Sequence, residues 1–172
     1  MKQEQNRWQS GDPVAFKTFF HDHERLVLND AFLITGSRED AQDIMIEVFA
    51  AAWSSRRTFN PQKGKPSTWL HRITVNKCIE KIRKKRLRTV PIENAGHIPE
   101  SRQDVTEKLE DSELIAQAIQ NLDNSHKVPL VLRYFSDLSY AEIAEILNIP
   151  TGTVRSRLHY ALEMMKQILT EE

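Results

Sequence analysis

Cysteine and long apolar segments are both scarce in this sequence. Cys78 is the only cysteine among 172 residues, so no intrachain disulfide is possible and an oxidising compartment is not indicated. No apolar run approaches the length of a membrane span, and the polar N-terminal stretch MKQEQNRWQSGDP does not fit a signal peptide. We therefore expect a cytoplasmic protein with no direct insertion into a membrane.

An excess of charge of one sign is also absent, because 24 basic and 24 acidic side chains cancel. Their distribution along the chain is uneven, however. Residues 71–90 are strongly basic, with Glu80 as the single acid, whereas residues 91–113 are mostly acidic. Such sign asymmetry is more informative than the net charge. Nucleic-acid binding by the basic segment therefore stays open.

Residues 138–162 predict two short helices joined by a tight turn. Ser139 and Glu142 have the spacing of a capping box at a helix start. Asn148 tolerates the left-handed conformation that ends a helix, and Pro150 suits the start of the next one. The second helix sets polar and basic side chains opposite an apolar face, which suits the major groove of DNA. The alternative is an ordinary helical hairpin with a solvated face, and we favour the DNA-binding helix-turn-helix.

A helix predicted over residues 38–57 carries a row of acids. Asp40, Asp43 and Glu47 are spaced three and four apart, so their carboxylates line one arc. Ile44 and Ile46 are expected on either side of that arc, and soluble helices rarely expose branched apolar residues. From the residues alone, this arc is either a solvated face or a partner surface.

Residues 59–67, FNPQKGKPS, predict a loop because they contain two prolines and a glycine. They do not form a phosphate-binding loop, since Phe59 stands where the first glycine is needed and Pro66 where Ser or Thr is needed. A basic loop of this kind could hold a single-stranded base beside an aromatic side chain.

The next predicted helix runs from about residue 66 to residue 88. Trp69, Arg72, Asn76 and Arg83 project from it in neighbouring directions. Arginine and asparagine can contact phosphates or base edges, and an aromatic ring can stack on an unpaired base. For Trp69 alone a position in the core is the better interpretation, but the dense basic run favours a nearby polyanion.

A boundary between two modules is predicted at residues 89–109, where prolines, a glycine and a lack of periodicity indicate a flexible linker. No strand pattern of any length occurs. The predicted fold is therefore all-α, with two small helical domains at residues 1–88 and 110–172, the second containing the helix-turn-helix. A linker of about twenty residues spans at most roughly 70 Å. The two modules could therefore bind two separated sites on one DNA molecule.

Three strings, in this order, resemble the bacterial extracytoplasmic-function (ECF) sigma factors of the sigma-70 family. DAQDIMIEVFAAAW resembles the family's polymerase-clamp-binding helix, and STWLHRITVNKCIEKIRKK its −10-element helix. LVLRYFSDLSYAEIAEILNIPTGTVRSRLHYAL resembles its −35-binding helix-turn-helix. Segments of the last kind also occur in response regulators, but the three together are specific to the family and cover nearly the whole chain.

The resemblance implies an alternative sigma factor that binds core RNA polymerase, recognises promoter DNA and promotes its melting. It assigns to polymerase docking Asp40, Asp43, Ile44 and Glu47. It assigns to the −10 element Lys63, Lys65, Trp69, Arg72, Asn76, Lys77 and Arg83. It assigns to the −35 element Thr153, Arg155, Ser156, Arg157, His159 and Tyr160. Two positions depart from the family pattern. The family often has Gln where this chain has Ile46, and often Arg where it has Tyr160. The contacts with polymerase and the preferred −35 sequence can therefore differ from those of other members.

The partners implied by the resemblance are the β′ clamp helices and β flap of polymerase, promoter DNA and an anti-sigma factor. A stand-alone helix-turn-helix regulator that acts without polymerase is the competing hypothesis, and it gives no role to the acidic row. An enzyme is poorly supported, since no nucleophile–base pair, metal cluster or phosphate loop is found. His21 and His23, for example, point away from each other on a helix. We expect no cofactor, metal or small-molecule substrate.

Overall fold

The computed structural model describes residues 7–88 and 110–170. In this part of the chain every long element is an α-helix and no strand occurs, which confirms the predicted fold class. The helices are α1 (Pro13–Thr35), α2 (Arg38–Ser55), α3 (Pro66–Arg88), α4 (Glu110–Gln120), α5 (Asn124–Tyr134), α6 (Tyr140–Leu147) and α7 (Thr151–Thr170). The predicted linker, residues 89–109, lies outside the described residues.

Helices α1, α2 and α3 pack against one another as the first module. Asp12 caps α1, since its Oδ1 accepts hydrogen bonds from the backbone N–H groups of Val14 and Ala15. Gly36, at φ 71°, ends that helix in the left-handed conformation that glycine adopts without strain. Ser37 then caps α2, so α1 and α2 form a tight antiparallel pair.

An aromatic cluster closes one end of this module. Trp8 is buried and stacks on Phe19 with ring centroids 4.4 Å apart, and it also contacts Phe59 at 5.7 Å and Trp69 at 5.9 Å. Phe59 opens the loop that leads into α3, and Trp69 lies near the start of α3 itself. Burial of these large rings therefore fixes where the loop and the start of α3 lie.

The second module contains the predicted helix-turn-helix. Ser139 and Glu142 form the complete capping box at the start of α6, and Asn148, at φ 52°, ends that helix. The predicted start and end of α6 and the predicted start of α7 are confirmed, whereas α7 continues beyond residue 162 to Thr170. Val154 and Leu158 on the inner side of α7 are buried in the core with Ile143 of α6, so packing fixes the direction in which α7 presents its other side.

For the preceding helix the sequence predicts a break at residues 123–125 and a helix from Val128 to Phe135 with Pro129 in its first turn, whereas α5 begins at Asn124. Asp123 is its N-cap rather than part of a helix break, because Oδ1 accepts from the N–H groups of Ser125 and His126 at 2.7 and 3.3 Å. The Ser125 hydroxyl also donates to Oδ1, at 2.6 Å, and this bond, together with those from the His126 ring and the Ser125 N–H, lowers the pKa of Asp123 to about 2. Pro129 consequently lies in the second turn of α5, not in the first, and α5 lacks one backbone donor there.

The two modules contact each other directly. Helix α1 packs against α4 and α5, and α3 packs against α6. The sequence predicted only a flexible linker between the modules and gave no prediction of their relative position. None of the described helices is long and apolar enough to cross a membrane.

Candidate nucleic-acid interface

Helix α7 presents a polar and basic face at its N-terminal half. Arg155, Ser156, His159 and Tyr160 are exposed, while Thr153 and Arg157 are partly buried. Tyr160 is 61% exposed, which is high for a tyrosine that contacts only the edges of His126 and His159. Within the described residues neither Arg155 nor Arg157 forms an ion pair. The helix is held by its buried side and exposes hydrogen-bond donors and one aromatic ring on the other. Such groups can contact base edges in a major groove.

The basic side chains of α3 are placed differently. Asn76 and Arg83 are exposed, but Arg72 is engaged by the second module. Its Nη2 donates to the backbone carbonyl of Glu145 at 2.8 Å and lies 3.4 Å from Oε1 of the same residue. Lys77 pairs with Glu47 at 3.2 Å. The predicted −10 residues thus lie on α3 and on the loop before it, and two of them, Arg72 and Lys77, already have partners in the protein.

Trp69 belongs to the aromatic cluster rather than to the open surface. Trp8 stacks on it with an interplanar angle of 29°, and Phe59 contacts it at 5.5 Å. One ring face is therefore already covered, and the interpretation as a core tryptophan fits the structure better than a free stacking platform. Its contacts with Trp8 and Phe59 join the start of α3 to the loop, and its assignment to the −10 element stays a prediction.

Lys63 and Lys65 are exposed on that loop, as expected. The loop is ordered by local hydrogen bonds, in which the N–H groups of Gln62 and Lys63 donate to the side chain and carbonyl of Asn60 at 2.9 and 3.0 Å. A half-open cavity of about 430 Å³ lies between the loop and α1. Its lining includes Trp8, Thr18, Asp22, His23, Lys65 and Ser67.

The acidic row of α2 faces a lysine row on α3. Lys81 lies 2.9 Å from Asp43 and 3.6 Å from Asp40, Lys85 also pairs with Asp40, and Glu47 takes Lys77. The hydrogen bond to Asp43 is the main cause that raises the pKa of Lys81, and the neighbouring carboxylate charges add to it. The acids Asp40, Asp43 and Glu47 and the lysines Lys77, Lys81 and Lys85 therefore form a set of ion pairs between α2 and α3, here called the charge zipper. They meet because both helices place their charged residues three to four positions apart.

Two of the residues assigned to docking do not have the expected exposure. Ile44 is 1% exposed and belongs to the core, so the expectation that it flanks the acids on the surface is wrong. The side chain of Asp40 is only 8% exposed, against 54% for Asp43 and 50% for Glu47. Ile46, by contrast, is 66% exposed. The prediction from helical spacing placed Ile44 on the surface. It failed because α1 and α3 cover a wider arc of α2 than the apolar pattern indicates.

The lysine row was missed by the sequence interpretation, which gave all basic residues of α3 to DNA. Lys77, Lys81 and Lys85 recur every four residues, and that period was visible in the sequence. A row of lysines at helical spacing, with acids at similar spacing on a neighbouring helix, favours an interhelical zipper. Among the described residues no cluster of three potential metal ligands is present.

Comparison with known families matches each module separately. The family model "Sigma-70 region 2" matches residues 7–88, and the model "Sigma-70, region 4" matches residues 112–165. The ECF sigma factor SigW of Bacillus subtilis is 32% identical to this chain, over 94% of this chain and 92% of its own length. The chain belongs to the ECF sigma factors. SigV of the same organism is 34% identical, over 90% of this chain and 91% of SigV.

Two solved structures have the same fold. CnrH, in complex with the cytosolic domain of CnrY, superposes with a TM-score of 0.74 at 22% identity, over 98% of this chain and 96% of CnrH. The sigma factor RpoE of Bartonella quintana, in complex with the anti-sigma factor NepR, gives 0.73 at 21% identity, over 90% of this chain and 96% of RpoE. These likenesses confirm the fold of the present sigma factor. A stand-alone regulator is not favoured, because both sigma regions are present.

Proposed function

We propose that this ECF sigma factor is a dissociable promoter-specificity subunit of RNA polymerase that contacts DNA at two separate elements. The observation that carries the proposal is the pairing of a region 2 module with a region 4 module, each with a basic helix, α3 and α7. One module would hold the −10 element and the other the −35 element. The sigma factor would perform no covalent chemistry, because polymerase supplies the catalysis.

The polymerase-docking surface in this proposal is the exposed edge of α2. Asp43, Ile46 and Glu47 are its members, since their side chains reach solvent. Asp43 and Glu47 keep about half of their side-chain surface exposed even while paired with lysines. A cationic surface of the β′ clamp could therefore approach them, with Ile46 as an apolar contact. Asp40 and Ile44 are too buried to take part.

The −10 surface comprises the exposed side of α3 and the loop before it. Arg72, Asn76, Lys77 and Arg83 would follow the displaced strand, and Lys63 with Lys65 would approach it from the loop. A strand that has lost its complement exposes both phosphates and base edges to such a groove. Unpairing a base costs a few kcal/mol, and contacts to polymerase and to both elements would offset that cost.

The −35 surface is the exposed face of α7. Arg155 and Arg157 suit guanine or phosphate, and Ser156 with His159 adds shorter polar groups. Tyr160, exposed beside them, can contact a thymine methyl group or a sugar. A partner of the anti-sigma class is also proposed, since the sigma factor RpoE described above is bound by the anti-sigma factor NepR. We place the protein in the cytoplasm, where polymerase is.

Reconstitution with purified core RNA polymerase tests the proposal. The wild type should bind core and yield promoter-specific transcripts. The double variant Asp43→Asn/Glu47→Gln should lose most core binding while keeping its affinity for −35 duplex. Glu39→Gln/Glu163→Gln, which alters exposed acids outside the zipper, should behave as wild type. Tight operator binding without any association with core would support the stand-alone regulator instead.

A further inference from the structure

We infer that His126, at the start of α5, is a positioning residue of the −35 surface, which holds the Tyr160 side chain in place for its contact with DNA. The inference rests on the proposed function, because it uses the assignment of Tyr160 to the −35 element. His126 lies on a different helix from the other members of that surface and is not one of them. Three observations support the inference, namely a ring contact, the way His126 is held, and the exposure of Tyr160.

The ring of His126 contacts the ring of Tyr160 across the boundary between α5 and α7. The two ring centroids are 6.2 Å apart and the ring planes meet at 73°, a nearly perpendicular arrangement that aromatic pairs favour. His159, the preceding residue of α7, also contacts the Tyr160 ring, with centroids 5.9 Å apart. Tyr160 therefore has one imidazole neighbour from its own helix and a second one from α5.

His126 is held by the residue that caps α5. Its Nδ1 lies 2.7 Å from Oδ2 of Asp123, while Oδ1 of the same carboxylate accepts from the backbone N–H groups of Ser125 and His126. The hydrogen bond from the Ser125 hydroxyl is the main cause that lowers the pKa of Asp123 to about 2, so this carboxylate is ionised near neutral pH. Nδ1 must then carry a proton and donate to Oδ2. The helix cap thus fixes the orientation of the His126 ring.

The backbones on both sides of this ring contact are fixed by the core of the second module. Helices α5 and α7 pack against each other. Val128, two residues after His126, and Leu158, two residues before Tyr160, are both buried in that core. Because cores are close-packed and resist displacement, the separation of His126 and Tyr160 is set by the packing of the two helices.

The exposure of the two rings shows which of them can reach DNA. Tyr160 is 61% exposed, whereas the side chain of His126 is only 22% exposed. An exposed tyrosine without neighbours would sample several rotamers, and binding would have to immobilise it at an entropic cost. The contact with His126 restricts those rotamers before DNA arrives. His126 therefore acts on DNA binding through Tyr160 and not by a contact of its own.

A double-mutant cycle on the full chain tests the inference. The probe is a labelled duplex that carries the −35 element of a promoter transcribed in the reconstituted assay. His126→Ala should weaken binding to this duplex about three-fold, as expected for the loss of one aromatic pair, and Tyr160→Ala should weaken it more. In the Tyr160→Ala background, His126→Ala should have no further effect, because the ring that it positions is gone. His126→Phe, which keeps a ring, should recover most of the lost affinity.

His21→Ala is the matched control, since His21 lies 3.7 Å from Glu24, a histidine–carboxylate pair of the same spacing on α1. It should bind the duplex as the wild type does. In the free protein, the NMR signals of the Tyr160 ring should shift in His126→Ala and stay unchanged in His21→Ala. Additive effects of His126→Ala and Tyr160→Ala, in variants shown to be folded by thermal melting, would overturn the inference, as would unshifted Tyr160 signals. A failure of the proposed function would be seen in the wild type itself, which would neither bind core polymerase nor give a promoter-specific transcript.

Discussion

The two DNA-facing helices differ in what their basic side chains do in the free protein. On α7, Arg155 has no ion-pair partner among the described residues and its side chain faces solvent. On α3, Arg72 is bound to α6 and Lys77 to Glu47. One helix is ready for DNA, whereas the other must first exchange protein partners for phosphates.

The largest expected effect separates Arg155 from Arg72. Arg155→Ala should weaken binding of the free sigma factor to promoter duplex about ten-fold or more, since a good arginine–base contact is worth about 1–3 kcal/mol. Arg72→Ala should change it less than about two-fold, because that side chain is already hydrogen-bonded to the carbonyl of Glu145. Fluorescence anisotropy would measure both. Equal losses from the two variants would contradict the contrast between the helices.

Within the charge zipper, burial should decide the effect on stability. Asp40→Asn should lower the free energy of unfolding by about 1–3 kcal/mol, because a nearly buried carboxylate loses its ion pairs with the ammonium groups of Lys81 and Lys85. Asp43→Asn should lower it by less than about 1 kcal/mol, as expected for an exposed pair. Urea denaturation compares them directly. If Asp43 proved the more important, the buried acid would not be the structural anchor of α3.

The presentation of α7 depends on how α6 begins. Ser139→Ala removes the hydroxyl that accepts from the N–H of Glu142, and should cost about 1 kcal/mol of stability. Binding to the −35 duplex should fall only in proportion to the fraction unfolded. Ser54→Ala, at an exposed position of α2, serves as the control and should leave the melting curve unchanged.

The smallest expected effect concerns Lys77. Glu47→Gln removes its partner at 3.2 Å, and should raise the affinity of the free sigma factor for single-stranded DNA by less than about three-fold, since such pairs are weak. The gain should vanish when Lys77→Met is added. Glu39→Gln controls for the loss of one negative charge. A gain that persists without Lys77 would show a general charge effect instead.

The sequence predicted the helices, the capping box and the helix-turn-helix because these depend on neighbours three and four residues apart. It misjudged Ile44 because coverage of α2 by two other helices is not encoded in the local apolar period. It also missed the lysine row, whose partners lie on another helix, 38 residues away for Lys81 and Asp43. Contacts such as Arg72 with Glu145 join positions 73 residues apart, beyond any periodic signal.

The distance between the modules in solution tests the contrast between the two helices most directly. Spin labels at Ser54→Cys and Glu163→Cys, both exposed, would report it by pulsed electron paramagnetic resonance. Cys78 would stay unlabelled because it is buried and burial raises the pKa of its thiol. The account predicts a narrow distribution of short distances between the two labels in the free sigma factor. With core polymerase bound, the distance between the labels should be longer. A broad, long distribution in the free protein would contradict it.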